Sequence, residues 1–159
     1  MAQVKPIPEG NHTVTAGLVV KGAQKAIEFY KAAFGAKELS VMLGPDGRSV
    51  MHAELKIGDT KIYLGDEYPD FGAVSPQTLG GSPVSLNIYT EDCDAMFKRA
   101  VAGGATVKMP LDNMFWGDRY GKLTDPFGHE WGIATHKEDV SEEEMEKRGK
   151  EWMAAMARK

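Results

Sequence analysis

Residues 13–35, with the sequence TVTAGLVVKGAQKAIEFYKAAFG, decide how the rest of the chain is interpreted. Residues 13–20 are rich in apolar and β-branched side chains, which is typical of an extended strand. After Gly22, apolar residues recur at intervals of three and four, the spacing of an amphipathic helix, and Gly35 suits the end of that helix because glycine tolerates a positive φ angle. The apolar positions of the predicted helix are Ala23, Ala26, Ile27, Tyr30, Ala33 and Phe34.

Three more strands follow this strand and helix, and the same order of five elements then repeats. Extended segments are predicted at about 36–43, 48–57 and 59–66, and glycine-containing turns separate them. Beyond a loop rich in Gly, Pro and Ser, the segment PVSLNIYT is again extended, and Asp92 is suited to cap a second helix. Gly35 and Ala36 recur as Gly104 and Ala105. The pattern predicts a single domain over 1–159, made of a module at 13–66, a linker at 67–83 and a module at 84–136.

The last part of the chain predicts a further helix, at 141–157. Ser141 and Glu144 have the spacing of a capping box, and Glu and Lys or Arg residues recur four positions apart along the segment. The apolar residues of this helix form one narrow face, which should cover either the same chain or a second subunit. They are Met145, Trp152, Met153 and Met156.

Length and composition exclude several classes of protein. The chain has 159 residues, a mass of 17.4 kDa and a net charge of −4, with no cluster of Lys and Arg, so a nucleic-acid partner is not expected. No apolar run approaches the roughly 18 residues of a membrane span, and one cysteine cannot form an intramolecular disulfide. The N-terminal sequence MAQVKPIPEG lacks the features of a secretory signal, so we expect a cytoplasmic protein.

The alternation of side chains along each strand separates an apolar face from a polar one. In the third strand, Met51 and alternate residues after it form the apolar set, and His52 and Glu54 belong to the opposite set with Val50. In the fifth strand, the apolar set begins at Val84. The polar sets are either the wall of a common concavity or the solvated faces of antiparallel strands. Together they comprise His52, Glu54, Tyr63, Ser85, Asn87, Tyr120, Lys122, Thr124 and Glu130.

Aromatic residues are concentrated in the segment MFWGDRYGKLTDPFGHEW, residues 114–131. Phe115, Trp116 and Tyr120 alternate there with Gly117 and Gly121, so that large flat side chains lie on a backbone that can turn tightly. Such a loop suits an apolar ligand. Core packing or a subunit contact would explain the same aromatic residues.

A family resemblance follows from three segments taken together with the repeated order of elements. The segments are IEFYKAAFGA at 27–36, FWGDRYG at 115–121 and TDPFGHEW at 124–131. The chain resembles the vicinal oxygen chelate superfamily, and within it the PhnB-like glyoxalase/bleomycin-resistance/dioxygenase subgroup, over about residues 12–157. The resemblance implies an α+β fold of two βαβββ modules, whose curled mixed sheets form a cavity that is usually completed in a homodimer. Members include metal-dependent isomerases, lyases and dioxygenases, and others bind antibiotics without chemistry.

The resemblance also implies where a metal would be held, namely on the first and fourth strands of each module. The corresponding positions here are Thr15, Ser85, Ile62 or Tyr63, and Gly132. A divalent site requires imidazole, thiolate or carboxylate donors, so we predict no metal and no cofactor at these positions. A shift of two residues would bring in Asn87 and Glu130. The alternative is a divalent metal at an atypical site that uses His52, Glu54 and Glu130.

Two functions remain as hypotheses, and a purely structural module is the least favoured third. The first is a metal-free protein that binds an aromatic or amphipathic small molecule. The second is an isomerase, lyase or epimerase that works by proton transfer, with Glu130 or Glu54 as base, His52 as acid and Lys122 or Tyr120 stabilising an enolate. The predicted ligand-binding residues are Tyr63, Ser85, Asn87, Phe115, Trp116, Tyr120 and Lys122.

Overall fold

The computed structural model of the protein describes residues 4–158, and the outermost ends of the predicted domain, residues 1–3 and 159, lie outside the described residues. The chain divides into two compact units. Unit 1 extends to Pro83 and also includes Pro126–His129, and unit 2 comprises Val84–Asp125 and the chain from Glu130 onward.

Unit 1 contains one four-stranded mixed sheet and one long helix. Its elements are β1 (Gly17–Val20), α1 (Ala23–Phe34), β2 (Lys37–Leu43), β3 (Val50–Ile57) and β4 (Thr60–Asp66). The strands lie in the order β1-β4-β3-β2, and β1 is parallel to β4 while the other pairs are antiparallel. This is the predicted order of a strand, a helix and three further strands.

Helix α1 forms as its sequence predicts, and a carboxylate from a distant strand holds its N-terminus. All six predicted apolar positions are buried, and Gly35 ends the helix with a φ of 68°. Asp66 accepts hydrogen bonds from the backbone amides of Gly22, at 3.0 Å, and Ala23, at 2.8 Å. Its second oxygen accepts from the amide of Val50 at 2.8 Å. Because helix N-termini carry unpaired amides and partial positive charge, this carboxylate fastens α1 to the sheet.

The predicted linker between the modules is an ordered segment built around one glutamate. It contains a 3₁₀ turn at Pro69–Phe71 and a short helix, α2 (Pro76–Leu79). Glu67 accepts hydrogen bonds from the amide of Ser75 at 3.0 Å and from the hydroxyl of Thr78 at 2.8 Å. The hydrogen bonds from Ser75, followed by those from Thr78 and the nearby charge of Lys21, lower the pKa of Glu67 to about 2.

Unit 2 repeats the topology of unit 1. Its elements are β5 (Ser85–Tyr89), α3 (Cys93–Ala102), β6 (Thr106–Asn113), β7 (Asp118–Thr124) and β8 (Glu130–His136). The strand order is β5-β8-β7-β6, with β5 parallel to β8. The two four-stranded mixed sheets with their helices confirm the predicted α+β class and the repeated order of elements.

A terminal helix, α4 (Glu142–Met156), follows the second sheet. The hydroxyl of Ser141 accepts a hydrogen bond from the amide of Glu144 at 3.2 Å, as the capping pattern predicts. The apolar face of α4 is only partly covered, because Met153 is 65% exposed and Trp152 is 37% exposed. In residues 4–158, no helix is both long enough and apolar enough to cross a lipid bilayer.

The predicted faces of two strands are wrong at their first residues. Val50 is buried and Met51 is 50% exposed, the reverse of the prediction, although His52 and Glu54 lie opposite buried Ala53 as expected. The pairing of β2 with β3 shifts by one residue at this end of the strand, which is the signature of a β-bulge and breaks the strict alternation. Val84 is 63% exposed and lies just before β5, so that it does not belong to an apolar strand face.

Candidate functional site

The residues predicted for the site fall into two groups, one in each unit. Strands β3 and β4 of unit 1 carry the only predicted residues of that unit, His52, Glu54 and Tyr63. The remaining residues lie on β5, β7 and β8 of unit 2 or in the turn before β7. They are Ser85, Asn87, Phe115, Trp116, Tyr120, Lys122, Thr124 and Glu130.

In unit 1, the three predicted residues lie together on one sheet face. Glu54 pairs with Tyr63 in the register of β3 and β4, and the ring centroids of His52 and Tyr63 are 4.9 Å apart. The imidazole Nε2 of His52 is 3.8 Å from a carboxylate oxygen of Glu54, which is within reach of a salt bridge but beyond a hydrogen bond. The predicted neighbours on this face are therefore near each other without forming a hydrogen-bonded acid–base pair.

A segment before β1 satisfies the polar groups of this face. The side-chain amide of Asn11 donates a 2.6 Å hydrogen bond to the hydroxyl of Tyr63. The ammonium of Lys61 donates to the side-chain oxygen of Asn11 at 3.0 Å and to the carbonyl of Glu9 at 3.2 Å, and it lies 3.7 Å from Glu54. Sequence analysis missed Asn11 and Lys61, and no local pattern connects residues that lie about fifty positions apart.

In unit 2, the charged residues form a close ion pair on the polar face of the sheet. The Lys122 ammonium lies 2.6 Å from a carboxylate oxygen of Glu130, and the side chains are 32% and 25% exposed. The hydrogen bond to Glu130, together with the negative charge of that carboxylate, raises the pKa of Lys122. Ser85 lies opposite Glu130 in the register of β5 and β8. On the neighbouring strand, the hydroxyl of Thr124 is buried and has no hydrogen-bond partner among the described residues.

Next to this ion pair, two side chains pack onto a glycine. Gly132 is the register partner of Asn87 on β5 and of Lys122 on β7. A β-carbon at Gly132 would overlap the side-chain oxygen of Asn87 and would lie 2.6 Å from the ring of Tyr120 and 2.7 Å from its hydroxyl. The space above Gly132 is therefore filled by an amide and a phenol.

The predicted aromatic residues divide between two roles. The rings of Trp116 and Tyr120 meet edge to face with centroids 5.7 Å apart, beside the polar face. Phe115 meets Trp116 at 5.0 Å and also Trp152 of α4 at 5.7 Å. Trp116 and Tyr120 are thus positioned beside the polar residues, whereas Phe115 packs against the terminal helix.

The orientation of Trp116 is fixed by a carboxylate that sequence analysis did not identify. Asp118, whose side chain is 5% exposed, accepts hydrogen bonds from the hydroxyl of Tyr89 at 2.7 Å and from the indole of Trp116 at 3.0 Å. It also lies 2.7 Å from Nδ1 of His136, whose other nitrogen is 2.8 Å from Asp139. The groups that surround Asp118 come from β5, from the preceding turn and from the end of β8.

The protonation states of this cluster follow from its contacts. Burial on its own would raise the pKa of Asp118, but the hydrogen bonds from His136, Tyr89 and Trp116 outweigh burial and lower it. The hydrogen bonds to Asp139 and then to Asp118 raise the pKa of His136. An ionised Asp118 therefore holds the indole of Trp116 through a charge-assisted hydrogen bond.

The family resemblance implies four positions for the ligands of a divalent cation, and the residues at those positions do not fit one. Those positions carry hydroxyl side chains at Thr15 and Ser85, an aliphatic or a phenol side chain at Ile62 or Tyr63, and no side chain at Gly132. Neutral hydroxyls are poor donors, and Tyr63 is already hydrogen-bonded to Asn11. Within residues 4–158, no group of three or more His, Cys, Asp or Glu side chains is arranged to hold a metal ion.

Comparison with known proteins identifies relatives of this chain. It is 42% identical over 132 residues to Rv0887c of Mycobacterium tuberculosis strain H37Rv, an alignment that covers 81% of this chain and 77% of that protein. It is 32% identical over 130 residues to At5g48480 of Arabidopsis thaliana, with 76% of each chain covered.

Solved structures share this fold, and one protein family matches most of the sequence. The X-ray structure of the Arabidopsis thaliana At5g48480 product matches with a TM-score of 0.63 at 29% identity over 78% of this chain and 98% of that chain. The PhnB protein from Bacillus cereus matches with a TM-score of 0.63 at 21% identity, over 78% and 99% of the two chains. Residues 11–133 match the family described as Glyoxalase/Bleomycin resistance protein/Dioxygenase superfamily. This match, together with the repeated mixed sheets, shows that the chain belongs to the Glyoxalase/Bleomycin resistance protein/Dioxygenase superfamily.

Proposed function

We propose that this protein binds a small aromatic or amphipathic molecule at the polar sheet face of unit 2, without the divalent metal that many members of its superfamily use. The observation that carries the proposal is the Lys122–Glu130 ion pair at 2.6 Å beside Asn87, Tyr120 and Trp116. One face then presents a cation, an anion, an amide and a phenol next to a flat indole. Binding sites for small ligands combine a few polar groups with aromatic surface in this way.

The chemistry of the face favours a ligand with a flat ring and a polar oxygen. Lys122 and the side-chain amide of Asn87 can donate hydrogen bonds, and Glu130 can accept one. The edge-to-face pair of Trp116 and Tyr120 adds an apolar surface on which an aromatic ring can lie. Phe115 packs against α4 instead, which favours a structural role for this member of the predicted ligand-binding set.

The contacts of the charged groups favour binding over proton transfer. Glu130 is engaged by an ammonium 2.6 Å away, and the raised pKa of Lys122 keeps that ammonium protonated. A general base works best with a free lone pair and a pKa near the working pH. In unit 1, His52 and Glu54 are near each other at 3.8 Å, and this proximity favours the alternative of an isomerase, lyase or epimerase.

We extend the proposal to the assembled protein. Residues 1–159 would act as one domain, and the ligand would be enclosed in a cavity of a homodimer in the cytoplasm. The exposed apolar side chains of α4 support a second subunit, because Met153 is 65% and Met156 53% exposed. The cytoplasmic location is supported by a single cysteine, Cys93, which is buried and unpaired.

The test is a thermal-shift screen of phenols, aromatic acids and aromatic antibiotics, followed by calorimetry on the compounds that stabilise the protein. Replacing Lys122 by Met should weaken binding of an anionic compound roughly tenfold or more, because a charge-assisted hydrogen bond is lost. The matched control is Lys56→Met, which changes an exposed lysine on β3. Equal loss in both variants, or turnover of a compound that never binds stably, would contradict the proposal.

A further inference from the structure

We propose that Gly132 is a specificity-determining position, because the missing side chain lets Asn87 and Tyr120 close over the strand and form an amide–phenol pair where the superfamily places a metal-ligating carboxylate. This pair would bind a ligand oxygen by hydrogen bonds instead of through a metal. The ligand-binding part of this inference rests on the proposed function, whereas the packing of the pair on Gly132 does not.

The first step of the argument is steric. A β-carbon at Gly132 would overlap the side-chain oxygen of Asn87 and would lie 2.6 and 2.7 Å from a ring carbon and the hydroxyl of Tyr120. Atoms this close cannot coexist, so any larger residue at this position must displace both side chains. The backbone of Gly132 has no positive φ angle, and the glycine is therefore required for space and not for conformation.

The second step compares the corresponding strand pair of unit 1. There the parallel strands pair Gly17 with Tyr63, so the glycine lies on the first strand and the larger side chain on the fourth. In unit 2 the arrangement is reversed, with Asn87 on β5 and Gly132 on β8. Among the described residues, none would lie within 4 Å of a β-carbon at Gly17, so none of their side chains closes over that glycine.

The third step concerns the hydrogen-bonding capacity that remains. Tyr63 of unit 1 is hydrogen-bonded to Asn11, and its hydroxyl is therefore engaged. In the part of the chain that the structure describes, neither the side-chain amide of Asn87 nor the hydroxyl of Tyr120 makes a hydrogen bond to another residue. The side-chain oxygen of Asn87 and the hydroxyl of Tyr120 converge above Gly132, which places one hydrogen-bond acceptor beside one hydroxyl group.

The chemical class of that ligand follows from the neighbouring groups. The side-chain oxygen of Asn87 accepts hydrogen bonds, the hydroxyl of Tyr120 can donate one, and Lys122 occupies the register position beside Gly132. An acceptor beside a donor suits a ligand hydroxyl group, which can donate its proton to Asn87 and accept a hydrogen bond from Tyr120. Because Trp116 lies edge to face with Tyr120, a flat ring attached to that oxygen would contact aromatic surface. The geometry thus points to aromatic compounds that carry a neutral hydroxyl group, such as phenols.

The packing is tested by a double-mutant cycle that needs no ligand. Gly132→Ala should lower the melting temperature by roughly 2 to 4 °C, because the added methyl group pushes aside two side chains that can still move. In an Asn87→Ala background the same change should cost much less, because the nearest obstacle has been removed. The control is Gly17→Ala, which meets no neighbour and should be neutral. Equal losses at Gly132 in both backgrounds, or no loss in either, would overturn the inference.

The ligand preference is tested with two probes of similar shape, 4-nitrophenol and nitrobenzene, under mildly acidic conditions in which the phenol keeps its proton. The natural sequence should bind the phenol at least roughly tenfold more tightly, and Gly132→Ala should remove most of that preference. An unchanged preference in Gly132→Ala would overturn the proposed role of the pair. Binding of neither probe, with the double-mutant coupling intact, would overturn the proposed function while the packing on Gly132 stood.

Discussion

At the scale of single residues, three carboxylates collect hydrogen-bond donors from separate parts of the chain. Asp66 accepts from the amides of Gly22, Ala23 and Val50, Glu67 accepts from the segment around Ser75, and Asp118 accepts from Tyr89 and Trp116. An ionised acceptor forms stronger hydrogen bonds than a neutral one, so each of these residues fixes a local arrangement that a neutral side chain would hold less firmly.

The lowered pKa of Glu67 predicts a contribution to acid stability. The folded pKa of about 2 lies below the ordinary value of 4.5, so the contribution is fully present above about pH 4.5 and is lost as the pH falls toward 2. Glu67→Gln should therefore lower the melting temperature at neutral pH and flatten its dependence on pH in this acidic range. Scanning calorimetry across the range is the measurement. Glu143→Gln, at an exposed position, is the control, and equal pH profiles for the two variants would contradict the prediction.

The face of a strand on which a residue lies could be predicted from that strand alone, whereas contacts that join several segments could not. The alternation along β5 and β8 correctly indicated that Asn87 and Glu130 lie on polar faces, since alternation is a local property of a strand. Asp118 was not identified from the sequence because two of its partners, Tyr89 and His136, lie 29 and 18 positions away from it. Trp116, two positions away, is a local neighbour. The closure of Asn87 over Gly132 likewise depends on which residues are register partners.

At the scale of elements, the turn before β7 connects the terminal helix to its unit. Phe115 packs against Trp152, and it lies 3.3 Å from the position that a β-carbon at Gly149 would take. Arg148 adds hydrogen bonds to both carboxylate oxygens of Glu138 at 2.9 and 3.0 Å. The ion pairs within α4 itself lie on its surface, where they contribute little. The ring of Phe115 is therefore a principal apolar contact of this helix.

Removing that ring should loosen α4 selectively. Phe115→Ala is expected to speed amide hydrogen exchange in α4 by roughly fivefold, because an aromatic contact worth about 1 kcal/mol is lost from that helix. Exchange in β8 should remain slow, since its residues are buried by the sheet and α3. Phe71→Ala is the control, because Phe71 is 88% exposed. Uniform loss of protection across unit 2 would show that Phe115 supports the whole unit instead.

Helices and strands were predicted correctly where the interactions that define them join residues close together in the sequence. Helices α1, α3 and α4 lie close to their predicted positions because apolar spacing and caps are encoded within a few residues. Side-chain caps form at Asp92, which accepts from the amide of Ala95, and at Ser141. The exposure of Met51 was predicted wrongly because a β-bulge arises between two strands and leaves no periodic trace in either.

At the scale of the whole molecule, the proposed homodimer is open to a direct test. The exposed apolar side chains of α4 suit a contact with a second copy, so sedimentation should show a species of twice the 17.4 kDa chain mass. The double variant Met153→Glu with Met156→Glu should weaken association at least roughly tenfold, because it buries charge in an apolar contact. Glu143→Lys, on the same helix, serves as the control for charge. A monomer at every concentration would contradict the homodimer.

The amino-acid sequence alone determined the class of fold, the repeated order of elements and the membership of a superfamily, because these depend on local periodicity, on caps and on short segments that many related chains share. Tertiary structure alone decided which polar groups are already satisfied and which remain available. Asn11 closes onto Tyr63, whereas Asn87 and Tyr120 close onto Gly132 without a hydrogen bond to any described residue. The physical reason is that strand register and side-chain packing join residues that are distant in the chain, and no local pattern records which of them will meet.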